Sequence, residues 1–163
     1  EIEIPQSSYF EGSHGDIEMS LDGQFLYHRE GNSSQSNLLK LDISKDGQMV
    51  IVNKYSYIGY GLPLLVLSEN GEILFCNNIV FDKNLNIISR FSQNEHIYST
   101  SYSGKYAIGM KEIYNIDNFS VVKSVPAKYK SGLFVNDSLV ILLWSHKSKY
   151  EHYKTKIYFY QFQ

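Results

Sequence analysis

A short apolar strand, a Ser or Asn, a polar tight turn and a second apolar strand recur four times along this chain of 163 residues. The first copy reads Ile17-Glu18-Met19-Ser20-Leu21-Asp22-Gly23-Gln24-Phe25-Leu26-Tyr27 and the second Val66-Leu67-Ser68-Glu69-Asn70-Gly71-Glu72-Ile73-Leu74-Phe75. The third is Tyr98-Ser99-Thr100-Ser101-Tyr102-Ser103-Gly104-Lys105-Tyr106-Ala107-Ile108, and the fourth Leu133-Phe134-Val135-Asn136-Asp137-Ser138-Leu139-Val140-Ile141. Aligned on the turn, Gly23, Gly71, Gly104 and Ser138 follow one another at steps of 48, 33 and 34 residues. Asn-Gly and Asp-Gly enter positive φ at low cost, which tight hairpin turns require. A hairpin cannot bury its apolar face alone, so a period of this size predicts four units that pack on one another.

A second pair of strands follows each hairpin. In the first unit residues 38–43 and 49–52 flank Lys45-Asp46-Gly47; in the second, 79–81 and 85–91 flank Asp82-Lys83-Asn84; in the third, 112–116 and 121–125 flank Asp117-Asn118. The fourth unit supplies three strands, 129–135, 139–144 and 156–162, while the alternating stretch Glu1-Ile2-Glu3-Ile4 has no partner in its own neighbourhood. Helices are expected to be minor or absent. Aromatics make up 15% of the chain, Ile and Val are frequent, and apolar residues never keep a helical spacing beyond two turns.

The hairpin Ser20 to Tyr27, followed by Leu39-Lys40-Leu41-Asp42-Ile43, resembles the blade pattern of YVTN-like and WD40-like β-propellers. No Gly-His or Trp-Asp pair of a true WD40 blade is present, Trp144 stands elsewhere, and no sialidase-type Asp box occurs. The resemblance implies an all-β, β-propeller-like fold of about four four-stranded antiparallel blades, or alternatively a partial ring cut from a larger propeller. The chain then reads as a single domain over 1–163, with units near 16–54, 63–91, 95–125 and 129–162. Strand 1–4 would close the last unit, because a propeller protects its edges by pairing a terminal strand into the blade at the other terminus.

Chemistry has little foothold in the sequence. His14, His28, His96, His146 and His152 keep no metal-ligand spacing, and no nucleophile elbow, Walker loop or dinucleotide fingerprint occurs. No catalytic residue, metal or cofactor is therefore expected, and the chain reads as a non-enzyme. Asp82-Lys83-Asn84-Leu85-Asn86 opens like a calcium loop, but Ile87 stands at the position that needs Gly and Gln93 at the one that needs Glu. An Asx-rich hairpin turn is the better reading. Cys76, the single cysteine, follows Ile73, Leu74 and Phe75 and reads as a buried hydrophobe that excludes any intrachain disulfide.

Charge and apolar runs restrict the partners. The net charge of -2 gives no overall pull towards nucleic acid or anionic membrane. The tail from His146 to Phe162 mixes Lys147, Lys149, Lys154 and Lys156 with Tyr150, Tyr153, Tyr158 and Tyr160, as single-strand binders do. Its alternation, with Glu151 in the loop, suits a long hairpin better, so nucleic acid is not favoured. Apolar runs of about six residues fall far short of the roughly 20 that span a bilayer, and membrane insertion is not expected. Three glycosylation triplets at Asn32, Asn118 and Asn136 are near chance in an Asn- and Ser-rich chain; they tilt the expected compartment towards the extracytoplasmic side and no further.

The segment Tyr55-Ser56-Tyr57-Ile58-Gly59-Tyr60-Gly61-Leu62-Pro63 joins the first two units and supplies most of the extra length in the 48-residue step. Tyr55, Tyr57 and Tyr60 offer large contact area at low entropy cost on a glycine-shaped loop, which makes them the candidate binding residues. The competing reading is a structural crossover whose tyrosines cap the core. The expected function is a non-catalytic interaction module, a scaffold or receptor-like domain that binds a protein or glycan through a ring face or inter-blade loop. The alternatives are a propeller enzyme whose groups converge from separate blades and leave no linear motif, and a small inhibitor of a toxin or enzyme.

Overall fold

The computed structural model describes residues 16–30, 36–45, 48–56, 58, 64–92, 95–125, 129, 131–147 and 153–162. All the regular structure in them is strand, and each strand pairs antiparallel with its sequence neighbour in the same sheet. The strands are β1 (Asp16–Met19), β2 (Phe25–Arg29), β3 (Asn37–Asp42), β4 (Val50–Ser56), β5 (Leu65–Leu67), β6 (Ile73–Cys76), β7 (Ile79–Asp82) and β8 (Ile87–Arg90). There follow β9 (Ile97–Thr100), β10 (Tyr106–Gly109), β11 (Glu112–Asn115), β12 (Val121–Ser124), β13 (Ser131–Phe134), β14 (Leu139–Lys147) and β15 (Tyr153–Gln161). They form three four-stranded sheets, β1–β4, β5–β8 and β9–β12, and one three-stranded sheet, β13–β15. The proposed closing strand at residues 1–4 lies outside the described residues.

The chain divides into two units, Glu1–Asn94 and Glu95–Gln163, each holding two sheets. In the first unit, Tyr27 and Leu38 from one sheet meet Leu65, Leu74, Cys76, Ile79 and Phe81 from the other. The period of two puts these residues on facing sides: Tyr27 lies opposite Lys40 in the register, and Leu38 opposite Tyr55. Cys76 is fully buried there, as its apolar run predicts, and burial pushes its thiol up to about 12. In the second unit Ile108 and Ile113 pack against Phe134, Val140, Leu142 and Phe162. Gly132 faces Ile108 so closely that a Cβ would stand 2.8 Å from its Cδ1.

Within each unit the first strands of the two sheets run side by side, β1 with β5 and β9 with β13. Asp16 Oδ2 accepts the Leu65 N–H at 2.9 Å, and Ser99 Oγ donates to the Gly132 carbonyl at 3.1 Å. The fourth strands β4, β8 and β12 are mostly exposed. Core therefore lies between sheets and towards their second and third strands.

The hairpin turns share one mechanism. Gly23, Gly71 and Gly104 have φ of 69°, 73° and 69°. Three residues before each stands a Ser, Ser20, Ser68 or Ser101, whose carbonyl accepts the Gly N–H. The same serine's Oγ accepts the N–H of the first residue of the next strand, Phe25, Ile73 or Tyr106, at 2.9 to 3.1 Å. In the first two turns that hydroxyl also donates to Asp22 or Asn70. The fourth turn departs from the alignment on Ser138: Asn136 Oδ1 accepts the N–H groups of Ser138 and Leu139, and Val135 N–H bonds the Leu139 carbonyl. An Asx turn, one residue tighter, replaces the glycine turn there.

Strand boundaries also differ from expectation. The strand expected over 85–91 begins only at Ile87, because Leu85 takes φ 62° and turns its side chain into the core. The strand expected over 121–125 ends at Ser124, and Phe119 occupies the left-handed region before it. The Lys- and Tyr-rich tail is a continuous hairpin in which β14 and β15 pair from Leu139↔Gln161 to Lys147↔Tyr153. The long-hairpin reading of that tail is the observed one.

Candidate functional site

The turn ends of the first unit enclose a groove of about 370 Å³, lined by Ser20, Leu21, Asp22, Phe25, Tyr27, Lys40, Asn70, Gly71, Glu72, Lys83 and Asn84. Three turns build it: β1–β2, β5–β6 and β7–β8. The first two are held by the serine mechanism, which fixes Asp22 and Asn70 in the lining. Gly71 lies against the first turn, where a Cβ would meet Leu21 Cγ at 3.1 Å.

The third wall is an Asx turn. Asp82 Oδ1 accepts the N–H groups of Asn84 and Asn86, and its Oδ2 accepts the Asn86 side-chain amide. Desolvation works against the Asp82 charge, but these bonds outweigh it and hold the carboxyl below its ordinary range. Both oxygens are thus spent on the turn itself, which answers the calcium-loop resemblance. No group of three or more potential metal ligands occurs among the described residues. Leu85 anchors this turn in the core, while the Lys83 carbonyl accepts the Tyr27 hydroxyl at 2.9 Å. Asn84 is held twice from the other sheet, its carbonyl by Asn53 Nδ2 and its Oδ1 by Lys40 Nζ at 3.2 Å.

Lys40 is the unusual member. Its place in Leu38-Leu39-Lys40-Leu41 aims it at the inter-sheet side, and only 8% of its surface is exposed. Nζ lies 4.1 Å from the Phe25 ring centroid and 5.9 Å from that of Tyr27. Burial and then the neighbouring Lys83 ammonium lower its pKa, against the attraction of Asp22 and Asp82. The ion pair at the rim joins Lys83 Nζ to Glu72 Oε1 at 2.9 Å, with both side chains exposed. Nothing in the linear sequence joins these residues, but a lysine at a core-facing position of an apolar strand was a readable signal.

Of the tyrosines proposed for binding, Tyr55 is the next-to-last residue of β4 and lies half-buried on the core. Its ring meets Phe81 edge-on at 5.0 Å, and its hydroxyl accepts a hydrogen bond from Arg90 Nη2 at 3.3 Å. Tyr57 and Tyr60 lie outside the described residues. Elsewhere in the unit, Asp16 and Glu18 on β1 are directed at β5, accepting the N–H groups of Leu65 and Leu67. Burial first, then Asp16, raises the Glu18 pKa to about 7.

No protein-family model matches the sequence, and no curated protein does. Among solved structures, the crystal structure of TolB from Acinetobacter baumannii matches with a TM-score of 0.58 and 15% identity, over 91% of this chain and 44% of that one. The fold is propeller-like. The four antiparallel sheets are its blades, three of them four-stranded and one three-stranded. This chain spans less than half the length of the TolB chain, and identity so low speaks for the fold alone.

Proposed function

We propose that this chain is a non-catalytic interaction module that binds a protein or glycan through the turn end of its first two blades. The observation that carries this reading is the groove itself. Its walls are cross-tied turns, its lining mixes hydrogen-bonding side chains of both charges, and its size suits one sugar or one side chain with its neighbours. The lining holds no Cys or His, and its one serine hydroxyl is committed to Asp22 and the Phe25 N–H. The carboxylates Asp16 and Glu18, which a catalytic reading would recruit, are engaged by backbone N–H groups of β5.

The test is amide chemical-shift mapping on the full chain against a panel of neutral and acidic mono- and disaccharides and short peptides. Perturbations at Ser20, Gly71, Lys83 and Asn84, with the ligands recovered unchanged, are expected. Shifts confined to segment 55–63 would transfer recognition to the tyrosine loop, and conversion of any ligand would replace the binding module with an enzyme.

A further inference from the structure

We infer that the groove recognises a sugar acid, with Lys40 receiving the carboxylate and the rim of Asp22 and Glu72 receiving hydroxyls. The inference rests on the groove being the binding surface. Donors and acceptors are mismatched around Lys40. Lys40 carries three N–H donors, and among the described residues its Nζ has one hydrogen-bond acceptor, the Asn84 Oδ1, and no carboxylate within ion-pair distance. Most of the side chain is buried, so water at the groove completes that ammonium only in part and an anion there would complete it better. Phe25 and Tyr27 cover its other side, so the aromatic faces provide partial but not full compensation.

Two neighbours strengthen the pull on an anion. The Lys83 ammonium repels that of Lys40, and a carboxylate in the groove would relieve the repulsion from both. The amides of Asn70 and Asn84 have their Oδ1 atoms committed, to Ser68 and the Glu72 N–H in one case and to Lys40 in the other. Their Nδ2 groups are further donors in the same lining.

The rim has the opposite character and selects what carries the carboxylate. Asp22 Oδ1 is occupied by Ser20 and the Gln24 N–H, which leaves Oδ2 as an acceptor; Glu72 adds its second oxygen beyond the Lys83 pair. Bonds from Ser20 and the Gln24 N–H hold Asp22 below its ordinary carboxylate range, so it stays an acceptor at neutral pH. An acidic peptide would bring further carboxylates against these two. A pyranose brings hydroxyl donors instead, with one carboxylate for Lys40. The exposed Leu21 side chain offers an apolar wall to a ring's C–H face.

The experiment titrates the full chain with glucuronate, methyl glucoside, acetyl-glutamate amide and acetate, reading amide shifts and calorimetry. Glucuronate is expected to bind at least roughly tenfold more tightly than the other three, as a charge-assisted contact combined with neutral hydrogen bonds requires. Lys40→Met should abolish that preference. It keeps the aliphatic stem over Phe25 and removes a desolvated charge, so its melting temperature should equal or exceed that of the parent. Lys83→Ala, at the exposed rim, should weaken glucuronate less. Methyl glucoside binding in the groove as tightly as glucuronate would overturn the carboxylate assignment while leaving the binding surface in place. Preference for acetyl-glutamate amide would replace the sugar acid with a peptide, and acetate binding as tightly would reduce it to an unselective anion. Absence of any shift in the groove would remove the surface and the inference together.

Discussion

Ser68 shows what one hydroxyl contributes to this chain. Almost fully buried, it closes a turn by accepting the Ile73 N–H and orients Asn70 by donating to it. The glycine that follows is required by conformation, since Gly71 holds φ 73° with Leu21 packed where a Cβ would go. Gly71→Ala is expected to cost about 1–2 kcal/mol, read from denaturant midpoints. An unchanged midpoint would mean the turn relaxes into another type. Glu18 gives a pH signature. Burial, and then the Asp16 charge, push its carboxyl up to about 7 in the folded chain, above the ordinary carboxylate range, so the folded state binds its proton more tightly than the unfolded state. Its contribution is therefore neutral below the unfolded value and unfavourable once pH has risen through the folded one. Glu18→Gln, which keeps an acceptor for the Leu67 N–H, should raise the melting temperature at pH 8 and leave it nearly unchanged at pH 4. A gain of equal size at both would contradict the linkage.

At the scale of elements, how close two sheets approach is set by their smallest residues. Gly132 on β13 is such a point, and Gly132→Val is expected to destabilise the second unit by about 1–3 kcal/mol, because Ile108 is fully buried and has little room to yield. Melting followed by the fluorescence of Trp144 measures it; a shift smaller than that of an exposed Val135→Ala control would show that the sheets separate freely. The last sheet is one-sided. Leu133, Leu143, Ile157 and Phe159 are exposed on the face opposite Val140 and Leu142, with Phe159 at 70%. Strands and turns were legible in the sequence where a glycine marked a positive φ or where apolar residues kept a period of two. Leu85 was not, because a β-branch-free apolar residue next to a strand carries no sign that it will leave the ladder to fill a core. Nor was the fourth turn, where Asn136 does with a side chain what glycine does elsewhere with its backbone. The groove was hidden for a different reason: Lys40 and Asn84 are 44 positions apart and meet only when two sheets stack.

For the molecule as a whole, the proposed tyrosine surface and the groove make separable claims. Tyr55→Ala should lower the melting temperature, since the ring packs on Phe81, whereas weaker partner binding in Tyr57→Ala with Tyr60→Ala, at unchanged melting, would add segment 55–63 to the recognition surface beside the groove. Binding retained in that double variant would remove the segment from recognition. The serine turns described above also bear on how such a chain ages. Because hydroxyl, carboxamide and glycine fix where each strand begins, register depends little on which apolar residues follow, and strands can exchange Leu, Ile, Val or Phe without slipping. Drift can then run through most of a blade while its geometry persists.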